Sequence, residues 1–341
     1  MPASIHTIKS LCKGFLSIKC IDDLVNVLET DTKSLSLALQ GHRYKVYKIP
    51  KTNGEFRLIE DPLKSLKTIL RSLNEYLQAV YYLQRPPCVH GFTINSSRGE
   101  VRNIVSNASV HLRCNYLLNI DLKDFFHQIK KPLVSNIFKN LLSKNPDFRL
   151  IDLLTDLCIY RGRLPMGSPT SPVLSNFAFC DLDFEVMEIS KVYGISYSRY
   201  VDDLSFSSSG QISKEFVDLI LNACQNRGFI PNMDKFKWYG PKDAKEVTGI
   251  VVSDRLSLPN DYLQKLTNEI NIYQHLLVAD QRYQTGMSGR KLDIFRQELY
   301  GKLNFAMMIN EEEAKPIKDR MENENNLENL SMSWLEIPYL F

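Results

Sequence analysis

Residues 199–206 read Arg199-Tyr200-Val201-Asp202-Asp203-Leu204-Ser205-Phe206, two adjacent aspartates inside a run of β-formers. The flanking apolar and aromatic residues predict a strand–turn–strand hairpin over 195–208. Its turn chemistry is unusual, because Gly or Asn normally stands beside Asp in a tight turn and here Tyr-Val precedes it. Folding would hold two carboxylates side by side, and like charges at close range oppose that. A divalent cation held by the pair removes the cost.

A third acid lies upstream in Asn119-Ile120-Asp121-Leu122-Lys123-Asp124-Phe125-Phe126. The apolar stretch before it predicts a buried strand over 116–121 that ends on Asp121. Two-metal phosphoryl transfer needs carboxylates from separate strands to clamp ions roughly 3.5–4 Å apart. One ion activates the attacking hydroxyl and the other stabilises the leaving group. Carboxylate oxygens with retained waters are the ligands Mg²⁺ prefers. Asp121, Asp202 and Asp203 are therefore the candidate catalytic and metal-ligating residues. The competing reading makes Asp121 a helix cap and the pair an exposed turn.

Working outward, residues 1–40 carry the apolar spacing of two or three short helices. Residues 43–60 alternate in period two around Thr52-Asn53-Gly54, which predicts a β-hairpin. Asp61-Pro62 then opens a helix with Leu63, Leu66, Ile69, Leu70, Leu73, Leu77 and Val80 on one face. Residues 132–160 read as helical, and Arg163 to Pro172 as a turn-rich loop. Ser171-Pro172 supplies the cap and first-turn proline of a helix running to about 190. A helix over 213–227, strands around 229–239 and 246–258, and a largely helical C-terminal third complete the pattern. Strand–helix–hairpin units sharing one sheet place the chain in the α+β class.

Composition is ordinary for a globular protein, with 44% hydrophobic and 24% charged residues. No apolar stretch is long enough to span a bilayer. Met1-Pro2-Ala3-Ser4-Ile5-His6 lacks the basic start and apolar core of a secretion signal. The seven cysteines are scattered and odd in number, which fits reduced thiols in the cytosol and no zinc site. Net charge is only +3, but it is uneven. Residues 41–71 hold eight Lys/Arg against three acids, and 311–330 hold seven acids against three bases. A basic front and an acidic tail suit a protein that meets polyanions on one face; a solvated surface is the alternative.

The order of the Asp121 block, the Leu164-Pro165-Met166-Gly167-Ser168-Pro169-Thr170-Ser171-Pro172 loop and the Tyr-Val-Asp-Asp hairpin resembles reverse transcriptases. More narrowly, the chain resembles the bacterial retron type. Asn107-Ala108-Ser109-Val110-His111 is similar to the Asn-Ala-x-x-His motif of those enzymes, and Val247-Thr248-Gly249 to their second hallmark. Residues 49–59, with Pro62 and Leu66-Lys67 downstream, resemble the first fingers motif. The likeness covers about residues 40–310. It implies a right-hand polymerase in which the palm is an antiparallel sheet backed by helices. An N-terminal helical region over 1–40 would precede fingers over 41–115 with about 130–165. The palm would span 116–255 and a helical thumb 256–310, before an acidic tail over 311–341.

The resemblance also implies roles. Asp121, Asp202 and Asp203 would hold two Mg²⁺ ions, with Mn²⁺ a possible substitute. Phe126 would exclude a ribose 2′-hydroxyl, and Lys51 and Arg57 would clamp the triphosphate, with an exposed basic hairpin as the alternative for both. Gly167 would let the loop approach nucleotide or template. Met166 stands where the family usually has Gln, so apolar packing replaces a hydrogen bond to the sugar. Lys235 matches the basic residue near the leaving phosphate, with Lys237 an equal candidate. Asn107, His111, Val247, Thr248, Gly249, Arg290 and Lys302 would contact RNA or primer. For His111 a satisfied structural role stays open beside that one.

The implied activity is RNA-directed DNA synthesis from dNTPs in the bacterial cytosol, with no membrane partner. The template would be a structured non-coding RNA, primed from a 2′-hydroxyl of an internal guanosine to yield branched msDNA. Such a system would act in anti-phage defence with an effector protein encoded nearby. Two alternatives stand beside it. One is another defence-associated or group II intron-type reverse transcriptase, disfavoured by the Asn-Ala-x-x-His and Val-Thr-Gly pair. The other is an RNA-binding scaffold with lapsed polymerase activity, disfavoured by three intact aspartates.

Overall fold

The computed structural model describes residues 3–50, 54–142, 147–283 and 289–322, the side chains of 278–283 and 289–290 excepted. The chain divides into two compact units, Met1–Thr248 and Gly249–Phe341.

The first unit opens with α1 (Ile5–Leu16), α2 (Ile21–Val27) and α3 (Thr32–Leu39). Polar caps start two of them, Ser4 accepting from the Thr7 amide and Asp31 from the Ser34 amide. The predicted hairpin follows as β1 (Tyr44–Pro50) and β2 (Phe56–Pro62), antiparallel with Tyr44 opposite Pro62. Pro62 therefore ends a strand, where its missing N–H costs no ladder bond, and does not open the helix. The Leu63 amide extends the hairpin by donating to Arg43 O at 2.8 Å. Only at Lys64 does α4 (Lys64–Gln84) begin, burying Leu66, Ile69, Leu70, Leu73, Leu77 and Val80. Leu63, read as part of that stripe, is instead an exposed cap residue.

After α5 (Ile104–Ser109) comes β3 (Tyr116–Asp121), then α6 (Phe125–Gln128) and the helices α7 (Lys131–Leu141) and α8 (Phe148–Cys158). The long α9 (Ser171–Val192) leads into β4 (Ser196–Tyr200), β5 (Asp203–Ser208) and α10 (Lys214–Asn226). Thr170, not Ser171, is the cap of α9. Ser171 turns inward and donates its hydroxyl to Pro165 O at 2.7 Å, which pins the preceding loop. Only Lys237–Tyr239 of the predicted 229–239 strand forms β6, preceded by a tight 3₁₀ turn at Met233–Lys235. A short β7 (Lys245–Val247) ends the unit.

The central sheet has the order β4-β5-β3-β6 and is antiparallel throughout. Helices α9 and α10 pack on each other, and α9 on β4, α4 and α7. Phe125, Phe179 and Phe229 form an aromatic cluster beneath the sheet end, with centroids 4.7–5.8 Å apart. Burial of this size is the main stabilising term of the unit.

The second unit begins with the small hairpin β8 (Ile250–Val252) and β9 (Leu256–Ser257). Three helices follow, α11 (Tyr262–Tyr283), α12 (Gly289–Ile309) and α13 (Glu311–Glu322). Leu266, Ile270, Tyr273, Leu292, Leu299 and Leu303 make its own core. Within the acidic stretch after residue 310, 311–322 is helical. Glu311, Glu312 and Glu313 sit in its first turn, where they complement the helix dipole. Residues 323–341 lie outside the described residues. No described helix is long and apolar enough to cross a membrane.

Candidate active site

Strand pairing brings the three aspartates together. Asp121, the last residue of β3, lies directly opposite Asp203, the first of β5. Across the hairpin Tyr200 pairs with Asp203, which leaves Val201 and Asp202 as the two turn residues. Val201 has φ +63°, a left-handed conformation that costs a β-branched residue on the order of 1–3 kcal/mol. Asp202 O accepts the Leu122 amide at 3.1 Å, tying the turn to the segment after β3. On the other flank, the Asn232 amide donates to Asp121 O at 2.7 Å. The Asn232 side chain and Lys235 Nζ reach Asp121 Oδ2 at 3.2 and 2.9 Å.

The charges are poorly compensated. Burial, with Asp202 and then Asp121 close by, pushes the Asp203 carboxyl up to about 7. Burial and Asp121 raise Asp202 as well. Lys235 is raised, chiefly by its hydrogen bond to Asp121. Among the described residues no three His, Cys, Asp or Glu side chains converge to cage one ion. Mg²⁺ does not require such a cage. It is typically held by one or two carboxylates, several waters and substrate phosphates. Three hard oxygen donors with excess negative charge fit a divalent cation of that kind.

The surrounding nucleotide-site expectations are met unevenly. Arg57 is exposed on β2, and its charge acts on Asp202. Lys51 lies outside the described residues. Phe126 is half-buried, with its ring 5.9 Å from Phe125 and 6.0 Å from Phe92, so it packs among aromatic side chains. Lys235 and not Lys237 touches Asp121, although Lys237 also bears on Asp203. Gly167 has φ +124°, and a Cβ there would lie 3.0 Å from Glu60 O. The close approach its glycine permits is thus to β2 of the protein itself. Met166 O accepts the Glu60 amide at 2.7 Å, so its backbone closes the loop onto the same strand.

Burial contradicts the RNA-contact expectation at Asn107, His111 and Val247. His111 is fully buried, its Nδ1 2.7 Å from Ser207 Oγ and its Nε2 2.7 Å from Ser198 Oγ. It links β5 to β4, the satisfied structural role left open for it beside RNA contact. Asn107 and Val247 are likewise fully buried. Thr248 and Gly249 adopt positive φ, +49° and +82°, which makes them a backbone turn after Val247. The strand before it is anchored by Asn119, whose side-chain amide donates to Glu246 O at 2.7 Å. Lys302 is held by Glu269 at 2.5 Å, and the Arg290 side chain lies outside the described residues.

Two buried ion pairs escaped the sequence reading. Arg163 grips Glu60 with two hydrogen bonds of 2.7 and 3.1 Å, latching the loop to β2. Arg199, quoted at the outset only as a neighbour, pairs with Asp183 at 2.6 Å, both fully enclosed. An acid on the buried face of a strand, as at Glu60, was the one available signal. Its partner stands 103 residues away, beyond any local pattern.

The family model described as reverse transcriptase (RNA-dependent DNA polymerase) matches residues 49–252. The chain is 31% identical over 236 residues to the retron Ec86 reverse transcriptase of Escherichia coli, covering 66% of this chain and 68% of that protein. It is 29% identical to the retron Ec83 reverse transcriptase of Escherichia coli, covering 66% and 74%. To the retron Mx65 reverse transcriptase of Myxococcus xanthus it is 27% identical, covering 81% and 64%. Among solved structures, Candida albicans telomerase in complex with a telomeric RNA fragment aligns with TM-score 0.45 and 13% identity, covering 87% of this chain and 58% of that one.

Proposed function

Because the chain belongs to the reverse transcriptase family, and within it to the bacterial retron enzymes, we propose that this RNA-directed DNA polymerase makes a branched RNA–DNA product. The template would be a structured non-coding RNA, primed from a ribose 2′-hydroxyl. Anti-phage defence with an effector protein encoded nearby, in the bacterial cytosol, is part of the same reading. An N-terminal helical region over 1–40, fingers over 41–115 with about 130–165, palm over 116–255, thumb over 256–310 and an acidic tail over 311–341 are the corresponding division of the chain.

One observation carries the polymerase chemistry: Asp121 opposite Asp203 at the same sheet end as Asp202. These three would hold two Mg²⁺ ions, or Mn²⁺ in their place. When bound, such ions lower the pKa of the attacking hydroxyl and neutralise charge developing on the phosphates. Lys235, beside Asp121, adds a cation where the leaving pyrophosphate departs. Arg57 offers a planar fork to the incoming triphosphate, with Lys51 as a second cation. Phe126 fills the space a 2′-hydroxyl would need.

Primer extension on an RNA template, with and without Mg²⁺, tests this reading. Metal-dependent dNTP incorporation that Asp203→Asn abolishes is the expected result, and no incorporation by the native chain overturns it. Sequencing DNA covalently attached to co-purified RNA tests the finer claim. A 2′–5′ branch supports the retron product, and its absence retires that product while leaving the polymerase intact.

A further inference from the structure

The strained residue of the catalytic turn is gripped from two sides. On one side, Arg199 is fully buried and donates from Nη1 to Val201 O at 2.9 Å and to Asn176 Oδ1 at 3.1 Å. Its other nitrogens fork onto Asp183 at 2.8 and 2.6 Å, and Phe179 lies under the guanidinium with its centroid at 4.7 Å. On the other side runs the segment after α4. Cys88 O accepts the Arg199 amide at 2.8 Å, and the His90 amide donates to Arg199 O at 2.9 Å, so this segment rides along β4. Its next residue is Gly91. A Cβ built on Gly91 would stand 2.8 Å from Val201 N and 2.9 Å from Val201 Cγ2. Asn176 closes the loop by donating to Gly91 O at 3.0 Å and Phe92 O at 3.1 Å. One side chain therefore holds both jaws in register.

We propose that Gly91 and Arg199, joined through Asn176, are positioning residues that clamp Val201 and so aim the Asp202–Asp203 pair. Gly91 does not need glycine for its backbone, since its φ lies outside the left-handed region. It needs glycine because the turn occupies the space of a side chain. Arg199 meets four acceptor oxygens on three residues, more than the three donors of an ammonium can reach. The positive φ of Val201 is thus maintained by neighbours on both sides, as a strained residue at a functional site requires. This inference rests on the polymerase reading of the same aspartates, but its structural content does not.

The test compares the full chain with Gly91→Ala, Arg199→Lys and the double variant Gly91→Ala/Val201→Gly. Primer-extension kcat and KM, thermal melting, and hydrogen exchange of the peptide spanning 199–204 are measured together. Gly91→Ala is expected to lower kcat roughly a hundredfold with KM for dNTP little changed, because displacing catalytic groups by about 1 Å costs that much. The fold should survive, and exchange should quicken at 199–204 alone. Val201→Gly in the same chain should restore at least a tenth of the activity, since it removes the clashing Cγ2 and lets the turn shift freely. Arg199→Lys should show the same kcat-selective loss, and if it does not fold, Gly91→Ala still decides. Native-like kcat and exchange in Gly91→Ala overturn the clamp. So does a loss that tracks melting temperature and is not rescued. If the native chain itself makes no DNA, the polymerase reading fails, and the exchange comparison alone upholds or overturns the clamp.

Discussion

Asp121 lies directly across from Asp203 in the β3–β5 ladder while Lys235 Nζ stands 2.9 Å from its Oδ2. One residue thus faces an anion across the sheet and a cation along its edge. The first contact raises Asp203, together with burial and Asp202; the second is the local counter-charge. The consequences separate by mutation.

Asp203→Asn should abolish DNA synthesis, by more than about a hundredfold, since a charge-stabilising group is lost at the reacting centre. Without divalent ions the same variant should melt no lower than the native chain. It removes a carboxylate whose charged form is disfavoured by burial and by Asp202. Thermal melting in chelator, beside primer extension, checks both halves.

Lys235→Ala should reduce kcat on the order of a hundredfold, the lower range for a positioned acid or electrostatic group. Lys235→Arg should keep part of the rate because it keeps the cation beside Asp121. Single-turnover incorporation measures the difference. Equal rates for Lys235→Ala and the native chain would reassign the role to Lys237.

Phe126→Ala should admit ribonucleotides. The ring is half-buried against Phe92 and Phe125, so removing it opens space beside them, five residues after Asp121. Discrimination between dNTP and rNTP should fall by roughly one to two orders of magnitude, the scale on which a shaped pocket sorts substrates.

Acidification should destabilise the fold in a defined window. Burial holds the His111 ring down at about 3 and the His90 ring at about 4, against the ordinary 6.5. As pH falls below 6.5 the unfolded chain takes up those protons first, so stability present above 6.5 is lost progressively toward 3. His111 alone contributes a slope of about 1.4 kcal/mol per pH unit. Urea midpoints between pH 7 and 4 should show it, and His111→Gln should flatten the slope by one proton.

Arg163→Ala should destabilise by about 3–5 kcal/mol, the cost of stranding a buried charge. Glu60 is fully enclosed and Arg163 supplies both of its short contacts. Glu60→Gln/Arg163→Met should recover much of that loss, which equilibrium unfolding reports.

The hairpin around Asp202 and the strand ending at Asp121 were legible because each couples an apolar run to an acid within a few residues. The helix over 64–84 was legible for the same kind of reason, a 3.6-residue stripe. Boundaries failed where tertiary bonds competed with local signals. Pro62 was drawn into β2 by pairing with Tyr44, and Ser171 turned from cap to anchor on Pro165 O. A polar residue in a motif suggests a ligand, as at Asn107, and burial is not written in a motif; at His111 the structural alternative is the one that holds.

By itself the sequence determined the candidate site: three carboxylates, their order and the strand-forming context that presents them. Residue type and short-range period decide those, and both are local. Only the tertiary structure decided which distant segments meet around the aspartates. The Arg199–Asp183 pair, the Gly91 contact with Val201 and the Arg163–Glu60 latch each join segments distant along the chain. Such contacts arise from how folded elements meet, because the low-dielectric core rewards a buried charge only when geometry supplies its partner.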